Sequence, residues 1–257
     1  MPARGYQHNF SRMVDGAMYK HQGRERKAKT ILAVMQDFLG QTPLPSLSLL
    51  DVGSSTGIID NFLADYFLKV TGIDIDKEAI QYAQKTFEKD NLRFIVDDLM
   101  DLNFPDNIFD VVVCTQIYEH VPDAQIMIKE IFRVLKPGGI CYFAAGNRMT
   151  IMEPHYRLPF LSIIPRPLAH IYMKISGKGD IYHEKHLTLS GLQKLVSSFT
   201  VHDFTKKLIA DPEKFHADYM LAADSSKHKI AKFIINYAYW LCPTYIWVLE
   251  KPANSSS

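Results

Sequence analysis

Leu49-Leu50-Asp51-Val52-Gly53-Ser54-Ser55-Thr56-Gly57 is the stretch that most restricts the folds open to this chain. An apolar run ends near an acid, two glycines follow four residues apart, and a helical pattern opens at Ile58-Ile59-Asp60-Asn61-Phe62-Leu63. The pattern is that of a buried strand turning sharply into a helix. Such a turn sets backbone N–H groups and the positive end of a helix dipole beside the strand's carboxyl end, so it suits a charged, hydrogen-bonding ligand.

The same rhythm continues. Ala28, Ile31, Leu32, Met35, Phe38 and Leu39 have helical spacing, and Gly40, Pro43 and Pro45 stop that helix before the first strand, 48–52. A helix is expected over 57–67, a strand over 69–74, a helix over 77–88, strands over 91–96 and 109–115, a helix over 123–135 and a strand over 140–145. Phe109 to Thr115 is a continuous apolar run, as in a strand buried on both faces. Alternating strands and helices predict a parallel sheet with right-handed crossovers and a ligand at its carboxyl edge.

After Asn147 the rhythm breaks, and residues 148–187 read as an insertion rich in proline, aromatics and histidine lying over the sheet edge. A helix reopens at 188–196 with Thr188 or Ser190 as its cap, a strand is expected over 200–208, helix over most of 211–241, and a closing strand over 244–249. Residues 1–23 read as an arm folding over a site, and 252–257 as a disordered tail.

With 257 residues, 47% of them hydrophobic, the chain can bury one large α/β core. Its 29 basic and 28 acidic residues nearly cancel, which argues against nucleic acid as a partner. Cys114, Cys141 and Cys242 are scattered in apolar surroundings and read as reduced core thiols, and Met1 to Arg12 holds no signal-like apolar run, so a cytoplasmic protein is expected. Prolines and charges interrupt 158–175, and 233–249 falls short of the roughly 20 residues a spanning helix needs. No transmembrane segment is expected. Aromatics and flanking lysines allow peripheral lipid contact, though a covered pocket or ordinary core explains them more simply.

Five motifs, taken together, resemble those of the class I S-adenosylmethionine-dependent methyltransferases of the type 11 kind. They are Leu50 to Gly57; Gly72-Ile73-Asp74-Ile75-Asp76; Asp98 to Phe104; Phe109 to Val113 with Glu119-His120-Val121; and Arg133 to Gly139, covering about residues 48–147. The resemblance implies a Rossmann-like three-layer sandwich around a seven-stranded, mostly parallel sheet with its last strand antiparallel. It makes 1–257 one methyltransferase domain, with a cofactor-binding core at 48–147 and a substrate cap at 148–187. S-adenosylmethionine, leaving as S-adenosylhomocysteine, is the implied cofactor. Asp51, Gly53, Ser54, Ser55 and Gly57 would surround its methionine part, Asp74 and Ile75 its ribose, Asp98 and Leu99 its adenine, and Thr115 and Gln116 would lie under the methionine. Ser55 stands where the family often has a glycine, and the Gly-x-Gly-x-x-Gly dinucleotide fingerprint is absent, which weakens an NAD reading.

The acceptor is expected to be a small, mostly apolar molecule methylated on oxygen, nitrogen or carbon. Alignment can supply much of the acceleration in such a displacement, and a base helps when the acceptor is a hydroxyl. His155, His183 and His186 are the candidate bases, although plain structural roles serve such loop histidines as well. No metal is expected, because His183, Glu184 and His186 lack a fourth ligand. Tyr156, Leu158, Phe160, Leu161, Ile163 and Ile164 either line an acceptor pocket or simply cover the sheet edge. Arg24 and Arg26 read as solvated surface residues before a role over the cofactor carboxylate. The rival readings are a cofactor-binding scaffold subunit without chemistry and an NAD-dependent oxidoreductase.

Overall fold

The computed structural model describes residues 18–253. The arm expected over 1–23 and the tail over 252–257 lie largely outside them. Seven strands form one sheet in the order β3-β2-β1-β4-β5-β7-β6. Strands β1 (Ser48–Val52), β2 (Lys69–Asp74), β3 (Leu92–Val96), β4 (Phe109–Thr115) and β5 (Leu135–Gly146) run parallel, and β7 (Thr244–Glu250) is antiparallel to both β5 and β6 (Thr200–Asp203). The expected architecture is therefore the observed one.

Strand residues alternate between two cores, as period-two geometry requires. Leu50, Val52, Val112, Cys114 and Phe143 face helices α4 (Ala124–Val134) and α6 (Leu189–Leu195), while Leu49, Val111, Val113 and Tyr142 face α1 (His21–Leu39), α2 (Ile58–Leu63) and α3 (Lys77–Thr86). All three cysteines are buried and free. Helix starts are fixed by side-chain caps: Asp76 accepts from Glu78 N at 3.1 Å, Asp123 from Gln125 N at 2.8 Å, and Thr188 from Gly191 N at 3.3 Å. Gly40, at φ +58°, closes α1.

The second half departs from the sequence pattern in three places. The strand expected over 200–208 stops at Asp203, whose Oδ1 accepts Thr205 N at 2.9 Å, and α7 (Thr205–Ala210) follows with Phe204, Leu208 and Ile209 buried at helical spacing. The helix expected over 211–241 reduces to α8 (Ser226–Tyr237) and a short 3₁₀ turn at Tyr239–Leu241, because Pro212 and side-chain-stabilised turns occupy 211–225. The insertion is not structureless, since it contains α5 (Arg166–Ile175), which begins directly after Pro165. Leu158, Leu161, Ala169, Met173 and Tyr182 give it a small core of its own.

Candidate functional site

A cavity of about 880 Å³ opens at the carboxyl ends of β1, β2 and β4. That edge collects the βα turns, and the strand order places β1 between β2 and β4, where the direction of winding reverses. Gly53 forms part of its wall at φ +85°, and a Cβ built there would overlap Ile117 Cδ1. Gly57, at φ +73°, plays a different part: it starts α2 away from the cavity, and a Cβ would fall 2.5 Å from Phe94 Cζ and 2.8 Å from Ala83 Cβ. Helix α2 can approach β3 and α3 closely only because that atom is missing.

Ser55 adopts φ +52°, the left-handed conformation that a glycine takes without strain, and lines the cavity. Ser54 turns the other way, with its Cβ packed toward Gly72 beneath the loop. Loop N–H groups are committed internally: Gly53 N and Ser54 N both donate to Ile73 O, at 2.8 and 2.9 Å, and Ser55 N donates to Asp74 Oδ2 at 2.9 Å.

Asp74 ends β2 in the cavity wall, and its other oxygen accepts Asp76 N at 2.9 Å. Burial raises its pKa above the usual carboxylate range, partly offset by those two N–H donors. Ile75 and Leu99 add an apolar stretch beside it, and Thr115 and Gln116 continue the wall from β4. Asp98 is buried but does not line the cavity, since its Oδ1 accepts Met100 N at 2.8 Å. Asp51 is also buried behind the wall; burial raises its pKa to about 7, with Arg24 acting in the opposite direction, and its Oδ1 accepts no hydrogen bond among the described residues.

Helix α1 supplies Arg24 and Lys27 to the same cavity. Arg24 is half-buried and in Coulombic contact with Asp51, Asp60 and Asp74, whereas Arg26 lies on the surface near the Tyr219 ring. A cavity lined by the carboxylates of Asp74 and Asp76, the cations of Arg24 and Lys27 and the apolar side chains of Ile75 and Leu99 suits a ligand that combines a zwitterionic head, hydroxyls and a flat ring.

Beyond Gln116 the wall passes into a buried cluster of carboxylates and histidines. His155 lines the cavity, and its Nδ1 sits 2.7 Å from Glu153 Oε1; Glu153 is fully buried and its Oε2 accepts Tyr156 N at 2.7 Å. Burial works against protonated His155, but the Glu153 hydrogen bond and the charges of Glu153, Glu184 and Glu119 outweigh it and raise its pKa. His120 also faces the cavity, edge-on to the His155 ring at 4.9 Å, and burial pushes its pKa down to about 3. His186 is buried behind Glu153, 3.6 Å from Oε1, with its pKa lowered to about 4 by burial. Burial raises Glu119 to about 7, and neither of its oxygens has a hydrogen-bond partner among the described residues. Donor atoms of Glu153, His155 and His186 lie within 4.8 Å of one another, close enough to share an ion, although the contact between Glu153 and His155 already has hydrogen-bond length.

The structure thus brings Gly53, Ser55, Asp74, Ile75, Leu99, Thr115, Gln116 and His155 to one cavity, keeps Asp51, Ser54, Gly57, Asp98 and His186 behind it, and leaves His183 exposed outside it. Of the insertion, Pro154 and His155 reach the cavity, while the 156–164 apolar residues mostly close the insertion's own core. Its apolar wall comes instead from Leu208, Ile209, Leu221, Ile230 and Ile234, which sequence reading assigned to no site. Arg24 is half-buried and lines the cavity instead of lying on the surface, and its signal in the sequence is its place in the first turn of the helix leading into β1.

Residues 50–143 match the family model described as a methyltransferase domain. The 2-methyl-6-phytyl-1,4-hydroquinone methyltransferase of Synechocystis is 42% identical over 106 residues, 40% of this chain and 33% of that one. A ubiquinone biosynthesis O-methyltransferase of Coxiella burnetii is 34% identical over 110 residues, 42% and 47% of the two chains. The chain thus spans a third to a half of the length of these curated relatives. The plantazolicin methyltransferase BpumL, solved with a monoazolic desmethylPZN analog and SAH, shares the fold at a TM-score of 0.60 and 18% identity, over 95% of this chain and 91% of that one.

Proposed function

We propose that this chain, which carries a class I S-adenosylmethionine-dependent methyltransferase domain, passes a methyl group from that cofactor to a hydroxyl of a mostly apolar, ring-bearing molecule. When bound, S-adenosylmethionine supplies a methyl group activated by its sulfonium. Asp74 would accept hydrogen bonds from the ribose hydroxyls, Ile75 and Leu99 would offer apolar contact to the adenine, and Arg24 with Lys27 would neutralise the carboxylate. Asp51 and Asp74 favour the cationic part of the same ligand by Coulomb attraction. Gly53 and Ser55 let the backbone pass beside it.

One observation carries the acceptor reading: His155 lines a cavity that also carries a large apolar wall, and its Nδ1 is paired with the buried carboxylate of Glu153. His155, which lines the cavity and is anchored through Nδ1, takes the proton of the hydroxyl as the methyl group arrives. Leu208, Ile209, Leu221 and Ile234 exclude water and hold the apolar body of the acceptor. The name of the ubiquinone biosynthesis O-methyltransferase supports oxygen as the acceptor atom, and that of the hydroquinone methyltransferase supports only a ring-bearing acceptor; His183, exposed outside the cavity, takes no part in it.

Calorimetric titration with S-adenosylmethionine, S-adenosylhomocysteine and NAD tests the cofactor: binding of the first two and not the third is expected, and a well-folded protein that binds neither sulfur compound overturns the reading. Labelled-methyl transfer into apolar phenols and hydroquinones tests the acceptor. Label on ring carbon instead of oxygen, or cofactor binding with no transfer, would replace the hydroxyl reading with carbon methylation or with a scaffold role.

A further inference from the structure

Helix α8 has two apolar faces. His228, Ala231 and Ile235, three and four residues apart, pack against the body of the protein. A second stripe at the same spacing, Ile230, Phe233 and Tyr237, points to solvent with exposures of 60, 61 and 78%. Trp240, one turn further, is 52% exposed, and the Phe233 and Tyr237 rings lie 5.0 Å apart. Such a run is more than scattered surface apolar residues.

Charge and position say what covers it. Lys227, Lys229 and Lys232 are the basic side chains of α8, which carries no Asp or Glu. Ile230 belongs to both surfaces: it heads the exposed stripe and lines the cavity, as does Met220, itself 39% exposed. The outer stripe is therefore continuous with the apolar wall of the cavity.

We propose that α8 lies in the headgroup layer of an anionic lipid bilayer, with Phe233, Tyr237 and Trp240 dipping toward the acyl chains and its lysines meeting lipid phosphates, so that an apolar acceptor enters the cavity over Ile230 without crossing water. A basic helix with aromatic and aliphatic residues on one face binds such a surface through apolar burial plus the attraction of its lysines to the anionic lipids. The source of the acceptor rests on the proposed function; the bilayer contact does not. Spanning plays no part, since no helix among the described residues is long and apolar enough to cross a membrane.

The test is flotation of the full chain with vesicles of phosphatidylcholine and phosphatidylglycerol, beside vesicles of phosphatidylcholine alone. Binding to the anionic vesicles that weakens with salt, and a blue shift of Trp240 emission scored against Trp240→Phe, are expected. The double variant Phe233→Glu/Tyr237→Glu should lose at least tenfold in vesicle affinity while its circular dichroism and S-adenosylmethionine binding stay unchanged. No flotation of the wild type with anionic vesicles, or unchanged flotation of the double variant, overturns the inference, as does a dimer in sedimentation that Phe233→Glu/Tyr237→Glu dissolves. Methyl transfer to a detergent-dispersed acceptor is measured alongside: its loss with vesicle binding intact sinks the proposed function alone, and the converse sinks the bilayer contact alone.

Discussion

Nδ1 of His155 lies 2.7 Å from Oε1 of Glu153, so a residue lining the cavity is paired with a carboxylate buried behind it. The second oxygen of Glu153 is held by Tyr156 N, so both carboxylate oxygens are tethered beside the His155 ring. Sequence order separates the two residues by a single proline, which directs the chain so that both side chains meet.

A base must be neutral to work, and the pKa of His155 is raised above its ordinary value near 6.5. The kcat/KM for a hydroxyl acceptor should therefore fall as pH drops through a value above about 6.5 and level off on the alkaline side. Glu153→Gln removes the largest raising influence and leaves burial to act, so the acid limb should move to lower pH. His155→Ala should lower kcat by about 10²-fold or more with S-adenosylmethionine affinity unchanged. A pH profile identical in wild type and Glu153→Gln would dismiss the pair as the proton acceptor.

Asp74→Asn keeps the shape of the side chain and removes its charge. S-adenosylmethionine should bind about 1–3 kcal/mol more weakly, as loss of charge-assisted hydrogen bonds dictates, and calorimetry reads this directly. Unchanged affinity would place the ribose elsewhere.

Glu119 titrates near 7 in the folded chain because it is buried, against about 4.3 when unfolded. Its contribution to stability is thus fully present below the unfolded value and is lost as pH rises through about 7. Glu119→Gln should stabilise the protein by about 1–3 kcal/mol above pH ~8 and by much less near pH ~4, in urea unfolding at the two pH values.

Gly57→Ala meets both a positive φ and the Phe94 ring. Those two penalties together should cost about 2–4 kcal/mol and lower Tm by about 4–16 °C. Ser55→Gly, at the neighbouring positive φ, should leave Tm within a few degrees, because relief of strain offsets the added chain entropy. Differential scanning calorimetry separates the two.

The first half of the fold was legible because its information is local. Strands such as Phe109 to Thr115 are apolar throughout, Asp76 and Asp123 cap the helices that follow them, and glycines mark the one turn that must come close to β3. Past Asn147 the pattern misled. Residues 200–208 alternate well enough for a strand, but Phe204, Leu208 and Ile209 found their core on α7, and pairing with β7 ends at Asp203. At an edge, few ladder partners compete with helical burial, so tertiary packing decided the outcome.

Sequence alone determined the alternation of strand and helix, the left-handed positions at Gly53 and Gly57, and the acids at the strand ends, since periodicity, missing Cβ atoms and caps act over a few residues. Tertiary structure alone decided which of those groups share a cavity. Ser54 and Ser55 are neighbours in sequence, yet Ser55 lines the cavity while Ser54 is buried against Gly72. Arg24, Ile230 and His155 come from distant segments and line one cavity, because the sheet order and two buried cores bring α1, α8 and the insertion to the same carboxyl edge, a convergence that no local pattern encodes.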